Sequence, residues 1–141
     1  MHCLSLTTKG VDAGAKAEAQ YILAHSWIDA GDRTEAHKEW TRLLDMEGLW
    51  PYALSEARMI VGSGLLAQNK HEDARNILAE CIAAADGVDW HKWEAQLTIA
   101  KSYQAEGKHA EAKAAIETLM TMKGLDAGRR QQASELLENI K

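Results

Sequence analysis

Side chains able to do chemistry are few in this chain: six histidines, two cysteines and a serine flanked by glycines, Gly62-Ser63-Gly64. Histidine can serve as acid, base or metal ligand. A metal site would show HExxH, CxxC or paired histidines at i and i+4, and none of these occurs. His71 and His109 stand 38 residues apart just after equivalent turns, where packing of the ring on the preceding helix is expected. His91 opens a helix between Trp90 and Trp93, and His2 lies at the N-terminus. His25 is the one histidine placed where a ligand could reach it, and no carboxylate partner is predictable for it. Cys3 and Cys81 are 78 residues apart, which is neither a disulfide framework nor a zinc pattern. Cys81 reads as a small core hydrophobe. Ser63 is similar in outline to a nucleophile elbow, but that device needs a preceding strand, whereas this serine falls mid-helix. No glycine cluster follows a strand, so no phosphate loop is expected. The inventory predicts binding rather than reaction: no catalytic residue, no cofactor and no metal.

The elements that must position these residues are helical. The chain has 24 alanines, three valines, one proline and no phenylalanine in 141 residues. Alanine favours helix, whereas strands need β-branched and aromatic residues, so the class is all-α. The net charge of −5 argues against a nucleic-acid partner, which would call for a basic stripe. The nearest approach, Arg129-Arg130, is flanked by Glu135 and Glu138. No apolar run approaches the ~18 residues of a membrane span. These features predict a cytoplasmic protein with no membrane association.

A repeat organises the helices. Gly31, Asn69 and Gly107 are each 38 residues apart, and Gly and Asn are the residues that most readily enter left-handed backbone at a helix end. Seven residues before each turn come small Ala24, Gly62 and Ala100, and four before it large Trp27, Leu65 and Tyr103. Five after it come Ala36, Ala74 and Ala112, and nine after it Trp40, Leu78 and Ile116. The spacings are those of one face of a helix on either side of the turn. Each unit is therefore two antiparallel helices, and stacking of units is needed to bury both faces. A second signal marks the boundaries: Gly10, Gly48, Gly87 and Gly124, with Asp12, Asp89 or Asp126 as the next N-cap. Gly87 arrives one residue late, so an insertion near Ala83-Ala84-Ala85 is expected. Pro51 suits a first helical position. Trp27 and Trp40 take core positions, while Trp50, Trp90 and Trp93 wedge between units or expose an aromatic edge.

This layout resembles the tetratricopeptide repeat family across roughly residues 13–140. It departs in its 38-residue period, in Gln20, Arg58 and Gln96 where the family often has Trp, and in the displaced Pro51. The resemblance implies a right-handed helical solenoid: residues 1–9 as the remnant of a preceding helix, residues 10–126 as three helix pairs (10–47, 48–86 and 87–123), and residues 127–141 as a capping helix. Arg129 and Arg130 are expected on the outside of the cap, Ala133, Leu136, Leu137 and Ile140 on the inside. The fragmentary start suggests the C-terminal part of a longer repeat array.

In this family the ligand usually lies along the concave face lined by first helices. Carried onto this chain, that face is Tyr21, His25, Met59, Ser63, Leu97 and Lys101, beside an acidic row of Glu18, Glu56 and Glu94. The alternative for Met59 and Leu97 is packing against the neighbouring helix, and for the acidic row a solvated face. The expected function is a non-enzymatic scaffold holding a peptide or partner protein in this groove. The alternative is a self-assembling module, a homo-oligomer formed through the uncovered N-terminal end. A histidine- or metal-dependent enzyme ranks third.

Overall fold

The computed structural model describes the backbone of residues 2–140 and the side chains of residues 12–140. It contains seven helices and, among the described residues, no strand. They are α1 (His2–Asp29), α2 (Arg33–Leu44), α3 (Pro51–Ala67), α4 (His71–Ala83), α5 (Asp89–Ala105), α6 (His109–Thr121) and α7 (Ala127–Asn139). Helices α1 and α2, α3 and α4, and α5 and α6 pack as antiparallel pairs, and α7 lies against α5 and α6.

The turns within pairs follow from backbone sterics. Gly31, Asn69 and Gly107 have φ of 77°, 62° and 73°, the left-handed region open mainly to Gly and Asn. Asp32 caps α2 by accepting from the Glu35 N–H at 3.1 Å. Between pairs, Gly48 and Gly124 are left-handed and Gly87 is not. The helices nonetheless start in register at Pro51, Asp89 and Ala127, each 38 residues apart, and α4 and α6 end in register. The displaced Gly87 therefore marks a differently shaped loop rather than an insertion in a helix.

Three boundary expectations are corrected. Helix α1 runs unbroken through Gly10 and Asp12, so no turn forms there and Asp12 caps nothing. Glycine inside a helix costs only about 1 kcal/mol, and a reversal would have to be offset by packing of its two arms. Residues 2–9 are thus the first turns of α1 instead of a separate helix. The side chains of His2 and Cys3 lie outside the described residues. Asp126 caps α7 as expected, accepting from the Arg129 N–H at 2.7 Å. Asp89 instead begins α5, with Val88 in the cap position, and Ser55 of α3 supplies the missing acceptor to the Val88 N–H at 3.3 Å.

The core is a chain of three clusters, each built from one pair and the first helix of the next. Ala24, Ala36, Trp40, Leu43, Ala57 and Val61 form the first. Met59, Ala74, Leu78, Cys81 and Ala95 form the second. Leu97, Ala100, Ala115, Ile116, Leu119, Leu125 and Ala133 form the third, closed by Leu136 and Leu137 of α7 and by Ile140 just after it. Gln20 and Gln96, at the position where the tetratricopeptide pattern often has Trp, tie paired helices together instead. Their amides donate to the carbonyls of Glu39 at 2.9 Å and Ala115 at 3.0 Å. The equivalent Arg58 leaves Nε buried without a partner.

The small position of the second pair is the tightest. A Cβ on Gly62 would lie 2.4 Å from Leu78 Cδ2 and 2.5 Å from Cγ, and Leu78 is fully buried. Gly62→Val is therefore expected to cost about 1–3 kcal/mol by overpacking, read from urea unfolding. Leu78→Ala in the same chain should recover part of that loss, so the two changes will not add. Strict additivity would show that the contact does not limit packing here.

Candidate functional site

The first helices α1, α3 and α5 are joined in sequence to α7 by polar bridges between side chains 31–36 residues apart. On α1, Tyr21 and His25 are one turn apart and their rings meet edge-on at 4.6 Å. Both reach Glu56 of α3: the Tyr21 hydroxyl donates to Oε1 at 2.6 Å, and His25 Nε2 lies 3.3 Å from the same oxygen. Glu56 is only 7% exposed. Burial and this carboxylate push the Tyr21 phenol well above its usual range. The ring of Tyr21 also packs on buried Trp40 at 5.5 Å and on half-exposed Trp50 at 4.9 Å.

The next bridge joins α3 to α5. His91 Nδ1 and Ser55 Oγ are 2.8 Å apart, and His91 is completely buried. Tyr52 and Trp90 pack on its ring at 4.9 and 4.2 Å. Burial pushes the His91 imidazole below the usual histidine range. The last bridge joins α5 to α7: Arg129 Nε donates to Glu94 at 3.0 Å. The Arg129 guanidinium lies 5.7 Å from the Trp90 ring and 6.0 Å from that of Trp93. Arg129, expected outside the cap, thus faces inward because Glu94 and Asp126 both pair with it.

Beside the Tyr21–His25–Glu56 bridge opens a groove of about 670 Å³ between the α1–α2 turn and α3. Ile28, Arg33, Thr34, His37, Ile60 and Ser63 line it. Ile28 stands seven and three residues beyond Tyr21 and His25, on the same face of α1. The floor is tight: a Cβ on Gly64 would lie 2.1 Å from His37 Nδ1. The glycines around Ser63 therefore serve close helix contact, and Ser63 itself is exposed.

The structure brings Tyr21 and His25 together, while Ser63 lines the groove with Ile28 and Ile60. Lys101 is exposed on α5, away from that groove's lining. Met59 and Leu97 are corrected. Met59 is 9% exposed and packs with Leu78 and Ala95, and Leu97 is fully buried against Leu125 and Ala133. The wheel of a single helix puts each on an open face, but α5 covers α3 and α7 covers α5. The acidic row divides similarly: Glu18 is exposed, while Glu56 and Glu94 are partnered. The Glu56 and Arg129 partnerships were not foreseen. Their signal is an offset of 35 residues in both Tyr21–Glu56 and Glu94–Arg129, one repeat less one helical turn.

Among the described residues, no three His, Cys, Asp or Glu side chains are grouped to hold a metal ion. The Cys81 thiol is buried and its pKa pushed up by that burial. No described helix is long and apolar enough to cross a membrane.

The fold is that of tetratricopeptide-like helical repeats. The chain is similar to the Yersinia enterocolitica type III secretion chaperone SycD in complex with a peptide of the translocator YopD, with a TM-score of 0.69 and 18% identity over 89% of this chain and 92% of that one. It is also similar to nearly identical TPR-like repeats of a Podospora anserina kinesin light chain, with a TM-score of 0.55 and 19% identity over 90% of this chain and 74% of that one. At such identities the likeness is one of fold. No protein-family model and no curated protein sequence matches the chain.

Proposed function

We propose that this chain is a non-enzymatic interaction scaffold that takes a peptide segment of a partner protein along its first helices. The observations that carry the reading are the half-exposed aromatic cluster of Tyr21, His25 and Trp50, held by buried Glu56 and Trp40, and the separate groove at Ser63. Rigid aromatic residues beside a preformed cleft are what peptide recognition uses, because little side-chain freedom is lost on binding. SycD, with the same fold, was solved with a peptide bound, which supports a peptide occupant here. The set proposed is Tyr21, His25 and Ser63, with Trp50 added, while exposed Lys101 stands apart on α5. Met59 and Leu97 belong to the core and are left out of the set.

Reaction chemistry is poorly served by the same geometry. Ser63 has no hydrogen-bonded base, Cys81 is sealed, and His91 is enclosed between Ser55, Tyr52 and Trp90. Peptides selected from a random 12-residue display library should bind wild type, with affinity read by fluorescence anisotropy. Ser63→Trp, which fills the groove from an exposed position, is expected to weaken the best binder at least tenfold while circular dichroism stays unchanged. His25→Ala should weaken it less, and Leu97→Ile should lower stability without changing affinity. Equal affinity for wild type and Ser63→Trp would overturn the placement of the groove.

A further inference from the structure

Helix α1 carries an apolar stripe that nothing in the molecule covers. Ala15, Ala19, Ile22, Leu23 and Ser26 fall at i, i+4, i+7, i+8 and i+11 on one face, and all five are exposed. Ile22 and Leu23, at 62% and 43%, are the most exposed large hydrophobic residues among those described. The repeat shows what this face is for. Shifted by 38 residues, Ala15, Ala19 and Leu23 become Ala53, Ala57 and Val61 of α3, exposed by 0, 0 and 1%. Shifted again, Ala15, Ala19 and Ser26 become His91, Ala95 and Ser102 of α5, all at 0%. Helix α2 packs on α3, and helix α4 packs on α5 at Ala95 and Ser102, with α3 closing over His91. Twice, then, the molecule places an α-helix against this register.

We infer that the helix taken by α1 is α1 of a second copy, packed antiparallel about a two-fold axis near Ala19. In that register each position i meets 38 − i of the other chain. Ala19 then faces Ala19, so the helices can approach closely, and Leu23 sits over the small Ala15 of the partner. Large side chains meet small ones along the stripe, which is the complementarity close packing needs. Asp12 meets Ser26, and Lys16 lays its stem beside Ile22, so no like charges are opposed. A head-to-tail arrangement is disfavoured by the other end of the array. There α7 already covers α5 and α6, and it shows solvent the polar Gln131, Gln132, Glu135 and Glu138. A closed pair using the same patch twice is the remaining symmetric solution. The inference is independent of the groove, which lies on the opposite side of α1 around Ile28.

Sedimentation equilibrium of the full chain from 5 to 500 μM tests it. A monomer–dimer equilibrium is expected, with the dimer weakened at least thirtyfold by Leu23→Glu. Ile28→Glu, an exposed change on the far side of α1, should leave the dimer intact. With Cys3 replaced by serine, Ala19→Cys should give a disulfide-linked dimer under mild oxidation, since Cys81 is buried. Because Leu23 is already exposed, its variant should keep wild-type helicity. A strict monomer at 500 μM would overturn the proposal and assign the stripe to a different helix. So would a dimer indifferent to Leu23→Glu or an Ala19→Cys chain that fails to cross-link.

Discussion

Trp40→Ala is expected to remove about 3–5 kcal/mol of stability, the range for deleting a large aromatic from a packed core. Trp40 is fully buried in α2 and belongs to the cluster that joins α1, α2 and α3. Its ring touches both Tyr21 and His25, with centroids 5.5 and 5.0 Å away. The loss therefore has two parts. One is the cavity itself, which small neighbours such as Ala24, Ala36 and Ala57 cannot collapse to fill. The other is the support of the aromatic cluster, because Tyr21 and His25 would lose the wall that fixes their rings. For a chain of this size the melting temperature should fall by roughly 10 °C or more. Trp40→Phe separates shape from polarity. The indole Nε1 is buried with no hydrogen-bond partner, so losing it removes an unmet donor along with some volume. That variant is expected to stay within about 1.5 kcal/mol of wild type. If alanine costs less than 1 kcal/mol in urea unfolding, the first cluster is not what holds α1 to α3.

The different fates of Trp40, Met59 and Arg129 show where sequence reasoning reaches. Trp40 was legible as core because it recurs as Leu78 and Ile116 at one register position, and a repeat turns one chain into three comparisons. The turns were legible for the same reason: Gly31, Asn69 and Gly107 share a backbone conformation that few residues adopt. Tyr21 and His25 share a face because they are one helical turn apart, but nothing local announces Glu56 as their common partner. Met59 and Leu97 were placed on an open face because a helical wheel describes one helix. Whether a position is open depends on what the next unit lays over it, and that is set by how far successive pairs rotate. Arg129 failed for a related reason. An arginine reads as surface until a carboxylate from another helix, here Glu94, is seen to meet it. Gly10 shares the boundary spacing of Gly48 and Gly124, yet spacing cannot decide where a helix tolerates the glycine at small cost.

Acidification should destabilise this fold through His91, together with His37. Burial lowers the pKa of both imidazoles below the usual 6.5, so each stays neutral in the folded chain at pH values where the unfolded chain protonates. The unfolded state then binds more protons, and stability rises with pH. The contribution is complete above about pH 6.5 and is lost as pH falls through the depressed folded values. Each group contributes at most about 1.4 kcal/mol per pH unit in that window. His91 has the stronger structural reason. Ser55 satisfies only Nδ1, Nε2 is buried without a partner, and Tyr52 and Trp90 close over the ring. Burial of the charge outweighs Glu56, which pulls the other way, and Arg129 adds a smaller push against the proton. Urea unfolding at half-unit steps from pH 7.5 to 5 should show the decline. His91→Phe should flatten the part of the slope owed to that residue, with His37 retaining the remainder. Because phenylalanine also leaves Ser55 without its histidine partner, its absolute stability will shift, and the slope is the quantity that decides. An unchanged slope in His91→Phe would mean that the imidazole takes up its proton inside the folded chain, and that the enclosure between α3 and α5 opens more easily than its burial indicates.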